Sequence, residues 1–422
     1  MFVQIHMLQS MPPGNLNRDE TGQPKKCIFG GVTRGRISSQ CLKRNIRLST
    51  QFKEAFGGAL AERTTYLPRM VADALRGKAA GVPETDLSEV MAAVASRFKK
   101  EKRGGDDEEG DESGAKEDAP GAAATTAEDA GQTGQLVFFP PPFAEKIAGL
   151  ITALREHKPK AYARFLGRKS ESKLSKQDAK ALDAEIEQFI EEASEASKAL
   201  TVDIGLFGRM TTSDLVLNVE AACQVAHAIG THETIIESDY FTAMDDRKAR
   251  YATTQADMAG AAFLGSGETE TFYNSAVYYK YFNLDIDALR KHLPSLSEKD
   301  AAKVAGVLIS AAALANPTGK QNSFASHSVP ELILVEVSKV KRPVSFANAF
   351  LEPVQGANLM TESAKAFQMY VDAVAAAFAP ADVKRVLLAI GHAKTALQSK
   401  ATSAGTLDLL VNSVEALIVE KA

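Results

Sequence analysis

Residues 16–47, LNRDETGQPKKCIFGGVTRGRISSQCLKRNIR, carry eight basic side chains (Arg18, Lys25, Lys26, Arg34, Arg36, Lys43, Arg44, Arg47) against two acids, Asp19 and Glu20. Concentrated positive charge near the start of a chain that is net acidic overall is the footprint of a polyanion partner, above all a nucleic-acid backbone. Gly30-Gly31 and Gly35 break a β-like run into a flexible loop. Ser38 or Ser39 then reads as a helix N-cap. In the helix that follows, Gln40, Lys43, Arg44 and Arg47 fall at i, i+3, i+4, i+7 and share one face, while Leu42 and Ile46 occupy another and pack inward. A helix N-terminus with free backbone N–H groups beside a row of cations and an amide suits phosphate contact. A solvated amphipathic helix has the same pattern, so both readings stand at this point.

Working outward, 422 residues suffice for a large core and two or three subdomains. No apolar run is long enough to span a membrane, and MFVQIHMLQS lacks the cationic start and apolar centre of a signal peptide. Cys27, Cys41 and Cys223 have no paired spacing. They fit a reducing, cytoplasmic setting and argue against a zinc knuckle. Residues 104–134 hold ten acids and one base. That is −9 within a chain total of −4, so the remainder carries +5. This Gly-, Ala-, Asp- and Glu-rich segment reads as a disordered surface insertion, an inert spacer in preference to a device that repels stray RNA.

The strand signals are FVQIHML (2–8), TVDIGLFGR (201–209), FYNSAVYYKYFNLDI (272–286) and ELILVEV (331–337). Helical patterns fill 52–100 and 143–200, recur at 218–232 and 299–315, and dominate 362–420. LVFFPPPF, with its prolines, reads as a loop or edge. The order fits a β-α-β-β-α-β core swollen by insertions, the ferredoxin-like or RRM-type topology and a common RNA-binding platform. The expected organisation is a palm (1–51, 201–236, 272–358), helical fingers (52–200), a thumb hairpin (237–271) and C-terminal helices (359–422).

Other constellations are weaker. Asn316-Pro317-Thr318-Gly319-Lys320-Gln321 lacks the upstream glycine and the Ser/Thr of a Walker A loop, so NTP hydrolysis is rejected, although Lys320 can touch a phosphate. His227 and His232 are five apart and match no metal-ligand spacing; packed or capping roles are expected, with no metal and no cofactor. Asp245-Asp246 reads as a solvated turn. Residues 239–265 look like two arms of a hairpin whose apolar residues would wedge against bases or a partner, or close a local core.

Taken together, LNRDETG…KKCIFGGVTRGRISSQCLKRNIR, DIGLFGRM, AHAIGTH…DYFTAMDD, FLG…TFYNSAVYYKY and NPTGKQNSFA…ELILVEV…SFANAFLEPV resemble the CasC-type backbone subunit of type I-E CRISPR Cascade. The motifs follow the family order over most of the chain; the acidic insertion and the C-terminal tail depart from it. The resemblance implies an α+β fold, with an RRM-like palm, a large helical finger insertion and a β-hairpin thumb. It implies a non-catalytic subunit that polymerises along CRISPR RNA, with target DNA reached by base pairing. Partners would be further copies of itself, the large, small, RNA-end-capping and repeat-processing subunits, and a recruited helicase–nuclease. The RNA backbone would meet Lys25, Ser38, Gln40, Lys43, Arg44 and Arg47, with Arg18, Arg34, Arg36, Arg209 and Lys320 adding charge. Met210, Phe241 and Leu264 would wedge at a displaced nucleotide. Relatives in other CRISPR types cut target RNA with a loop aspartate, which would make Asp245 or Asp246 catalytic here; that is the alternative.

Overall fold

The computed structural model describes residues 1–57, 60–77, 82–98, 131–168, 175–240, 270–378, 380, 382–397 and 401–421. Its centre is a pair of long strands, β1 (Phe2–Gly14) and β9 (Glu270–Asp285), antiparallel from Phe2↔Asp285 to Met11↔Ala276. β10 (Leu332–Ser338) pairs with the other edge of β1, from Phe2↔Ser338 to Leu8↔Leu332. On its far side β9 pairs with β6 (Cys223–Val225), β7 (Ala228–Gly230) and β8 (Glu237–Tyr240). The central order β10-β1-β9-β7 is antiparallel throughout, with α1 (Ser39–Leu48) between β1 and β7 in the chain and the helix Glu298–Leu314 between β9 and β10. That is the connectivity of a β-α-β-β-α-β unit. A hairpin, β2 (Lys26–Phe29) and β3 (Val32–Ile37), extends one edge through β7.

Valines, isoleucines and methionines of β1 alternate toward one face, where Val3, Ile5 and Met7 join Leu42 and Ile46 of α1 and Leu308 of Glu298–Leu314. Leu8, Tyr279, Tyr281 and Leu334 face the other side, beneath Phe346, Phe350 and the helix Leu359–Phe378. Both faces are therefore covered. His6 is fully buried there, stacked 4.2 Å from Phe346, with Nδ1 2.8 Å from the Tyr279 hydroxyl. An RRM reads RNA with aromatics on an open sheet. Here those aromatics are the floor of a core, so an RNA-binding surface has to lie elsewhere.

Between α2 (Thr50–Phe56) and α8 (Val202–Phe207) the chain builds a second lobe. It comprises β4 (Glu62–Thr64), α3 (Leu67–Arg76), α4 (Glu84–Ser96), β5 (Val137–Phe139), α5 (Phe143–His157), α6 (Pro159–Phe165) and α7 (Lys176–Ala196). These helices close a core of their own, from Leu67 to Phe189. Of the acidic segment only residues 131–134 are described.

Four local expectations change. Residues 201–209 are not a strand: Val202–Phe207 is a short helix ended by Gly208 at φ 76°. Asp203, Ile204, Leu206 and Phe207 are all buried, so the short apolar run gave no usable period. Residues 218–232 are not a helix; they form β6 and β7, because pairing with β9 overrides the helix propensity of an alanine-rich stretch. Gly30-Gly31 is no flexible loop. With φ of 61° and 79° it is the two-residue turn of the β2–β3 hairpin. The C-terminal region, although mostly helical, adds β11 (Lys384–Ala389) and β12 (Thr402–Ser403) to the sheet beyond β10.

Two stability outcomes follow from this packing. At Gly30 an added Cβ would lie 1.7 Å from the Leu351 carbonyl oxygen, whereas at Gly31 it would meet nothing within 4 Å. Gly31→Ala should cost only the left-handed penalty, about 1–2 kcal/mol. Gly30→Ala adds a backbone clash and should lower the melting temperature at least twice as far. Second, Lys280 is fully buried with only the Ala312 carbonyl, at 3.4 Å, as a partner among the described residues, and burial pulls its pKa from 10.5 to about 8. Between pH 8 and 10.5 the unfolded chain holds a proton that the folded chain releases, so this group favours folding more as pH rises through that window. Lys280→Met should therefore raise the melting temperature most below pH 8, by about 3 kcal/mol of stability, and by progressively less toward pH 10.5.

Candidate nucleic-acid interface

Ser38 is the N-cap of α1: its backbone is extended and its hydroxyl accepts the Cys41 N–H at 3.2 Å. The Ser38 N–H donates to Asn17 Oδ1 at 2.8 Å and the Ser39 N–H to His227 Nδ1 at 3.1 Å. The first turn is thus largely satisfied from within, and the expected row of free N–H groups is not there. His227 caps as expected, and His232 is packed, accepting the Val277 N–H at 3.2 Å. No group of three or more His, Cys, Asp or Glu suited to a metal occurs among the described residues.

Leu42 and Ile46 anchor α1 to the sheet, which fixes the outward direction of the opposite face. Gln40 and Lys43 are half-buried there and Arg44 is exposed. Lys25 and Arg44 both lie within electrostatic reach of the Cys41 thiol, whose pKa burial raises and whose cationic neighbours oppose that rise. The loop of Lys25 is held by its N–H on the Asn17 carbonyl at 2.7 Å. Arg36 follows on β3, its backbone N–H on the Lys25 carbonyl at 2.9 Å and its Nε buried without a partner. Lys320 joins from a distant part of the chain. Its loop seats Gly319 so tightly that a Cβ would meet the Asn15 carbonyl at 1.8 Å, and Ser326 Oγ holds the Pro13 carbonyl at 2.6 Å. Lys320 itself has φ 63°, a conformation rare for a residue with a side chain and concentrated at functional sites. Arg18, Lys25, Lys26, Arg36, Lys43, Arg44 and Lys320 form no ion pair among the described residues.

Three expected contacts belong to the scaffold instead. Arg34 is fully buried, donating to the carbonyls of Phe29 (3.0 Å), Gly230 (3.1 Å) and Phe350 (2.9 Å), which leaves no room for a phosphate. Arg209 is buried on the carbonyls of Leu217 (2.8 Å), Ser197 (3.1 Å) and Phe138 (3.3 Å), and burial lowers its pKa to about 10. Arg47 binds the buried Asp203 at 2.9 Å and the Ala61 carbonyl at 3.0 Å, with its guanidinium 4.4 Å from the Phe138 ring centre. Asp203 and Phe138, which sequence reasoning did not single out, are the partners that hold these arginines. Met210, by contrast, is 83% exposed. Within the range expected for the thumb, β8 pairs with β9 from Glu237↔Tyr273 to Tyr240↔Glu270. Phe241, Leu264, Asp245 and Asp246 lie outside the described residues.

Fold and surface together define a two-lobed α+β protein with cations on α1, on the β2–β3 hairpin and in the loops of Lys25 and Lys320. The chain belongs to the CT1975-like protein family, whose profile matches residues 3–413. It is similar over 99% of its length, at 25% identity and TM-score 0.73, to the whole of a chain from a CRISPR RNA-guided surveillance complex in a pre-nicking state. A second chain, from a CRISPR RNA-guided surveillance complex, shares the fold at TM-score 0.64 and 23% identity, again over 99% of this chain and all of that one. No curated protein sequence matches. The resemblance to a Cascade backbone subunit is thereby borne out. No helix among the described residues is long and apolar enough to cross a membrane.

Proposed function

We propose that this protein is the non-catalytic backbone subunit of a type I-E Cascade-type complex, several copies of which line up along a CRISPR RNA. The observation that carries the reading is a set of cations that form no ion pair among the described residues, Arg18, Lys25, Lys26, Arg36, Lys43, Arg44 and Lys320. Its parts come from separate segments of chain, and each is seated by the core or by backbone hydrogen bonds. A protein needs no such arrangement for solubility alone. Fixed cations on phosphates bind any RNA sequence, which suits a carrier of variable guides, while base pairing supplies specificity for target DNA. Gln40 adds a hydrogen-bonding amide on the same face. Met210, with the hairpin residues Phe241 and Leu264, would separate bases at intervals, an unstacking that costs a few kcal/mol per step. Further copies of the chain, the other Cascade subunits and a helicase–nuclease acting on the target complete the proposed assembly, in the cytoplasm.

The test uses Lys43→Ala with Arg44→Ala in the assembled complex, measuring RNA affinity at several salt concentrations. Each phosphate contact on a single strand contributes about 0.7 to the slope of log K against log salt. The double variant should flatten the slope by about 1.4 and weaken binding at least about tenfold at low salt. An unchanged slope would remove α1 from the RNA.

A further inference from the structure

Arg47 and Arg209 come from different parts of the chain and meet at one residue of the second lobe. Arg47, in the last turn of α1, lays its guanidinium 4.4 Å from the centre of the Phe138 ring and is fixed there by Asp203. Arg209 donates to the carbonyl of the same Phe138 at 3.3 Å. Asp203 is fully buried with both oxygens engaged: one takes Arg47 Nε, the other takes the Ala61 N–H at 3.1 Å and the Thr201 hydroxyl at 2.6 Å. Arg209 has no acid partner among the described residues. It is held by three carbonyls, and its backbone exchanges both hydrogen bonds with Val219, at 2.9 and 2.8 Å. The residue after it is Met210, one of the most exposed apolar side chains among the described residues. β5, α1 and the 209–219 segment therefore converge on Phe138.

We infer that Arg47 and Arg209 form a clasp on Phe138, locked by Asp203, that positions Met210 relative to the cationic face of α1. Both arginines are positioning residues and neither touches nucleic acid. Held by a buried carboxylate and an aromatic face, or by three carbonyls, and with the Arg47 side chain only 13% exposed and Arg209 buried, neither guanidinium is open to a backbone phosphate, although part of its five-donor fork is uncommitted. The long-range bonds of the clasp are what convert a flexible methionine into a fixed wedge beside the cations of α1. The consequence for RNA rests on the proposed function; the geometry of the clasp does not.

The test compares Asp203→Asn, which leaves the Arg47 charge in place, Phe138→Leu, which removes the ring but keeps the carbonyl, and Arg47→Ala. Hydrogen exchange on the full-length protein is read first. Asp203→Asn and Phe138→Leu, which both keep the Arg47 charge, should speed amide exchange about tenfold or more at Ala61 and, away from the substitution, across 209–219. If exchange rises around Ala61 and stays unchanged across 209–219, the clasp does not couple the two and the inference is wrong. In the assembled complex, all three variants should keep the salt slope of RNA binding while 2-aminopurine fluorescence in the bound RNA loses about half of its unstacking signal. A slope flattened by about 0.7 in Arg47→Ala, with Asp203→Asn behaving as wild type, would make Arg47 a direct phosphate contact and overturn the inference. A wild-type complex that holds no RNA would sink the proposed function alone, and the exchange comparison would still decide the clasp. Phe138→Leu, being free of any charge change, carries the test if Asp203→Asn fails to fold.

Discussion

The ladder between β1 and β9 is the constraint on which everything else depends. Eleven residue pairs join the two strands, and β1 is buried on both faces along most of its length. A strand covered on both sides cannot present its aromatics to a ligand, whatever its connectivity. Tyr279 and Tyr281 of β9 instead join His6, Phe346 and Phe367 in a second core. The surface available for a polyanion is displaced off the sheet, to the outer side of α1 and the loops at the end of β1, where Asn17 holds the Ser38 N–H and Gly319 packs on Asn15. Interior packing thus decides where the charge can act.

Charge alone does not mark function in this protein. Arg34 and Arg36 sit two residues apart on one strand and look equivalent in sequence. Arg34 is enclosed because carbonyls from Gly230 and Phe350, nearly two hundred and more than three hundred residues away, close around it. Arg36 finds no such enclosure. The same sorting separates Arg47 and Arg209 from Lys43 and Arg44. A buried guanidinium among carbonyls rigidifies a junction, whereas an unpaired surface cation keeps its field for a partner.

Much of the architecture could be read in advance from local pattern. β1, β9, β10 and the helix Glu298–Leu314 are long, strongly patterned segments, and α1 announces itself by Leu42 and Ile46 on one face and the cations on another. The errors share a cause. Val202–Phe207 and residues 218–232 are short, and their state is set by Gly208, by the all-round burial of Asp203 through Phe207 and by the partner strand β9. Of these only Gly208 can be seen in the local sequence; the burial and the partner strand cannot. For the interface, sequence gave the cationic segment, and Lys320 through its turn, but not which charges are sequestered. Asp203 and Phe138 carry no local signal, since each matters only through an arginine distant in the chain. The family resemblance supplied what periodicity could not, the order of motifs across the whole length, and the CT1975-like match over residues 3–413 agrees with it.

The most direct measurement is on the protein co-expressed with its neighbouring genes: the 260/280 nm absorbance ratio across a size-exclusion peak, followed by extraction and sizing of the nucleic acid. The account predicts a large species holding RNase-sensitive RNA of one discrete length. A nucleic-acid-free monomer from the same co-expression would contradict it, and the cations of α1 would then be no more than a solvated helix face.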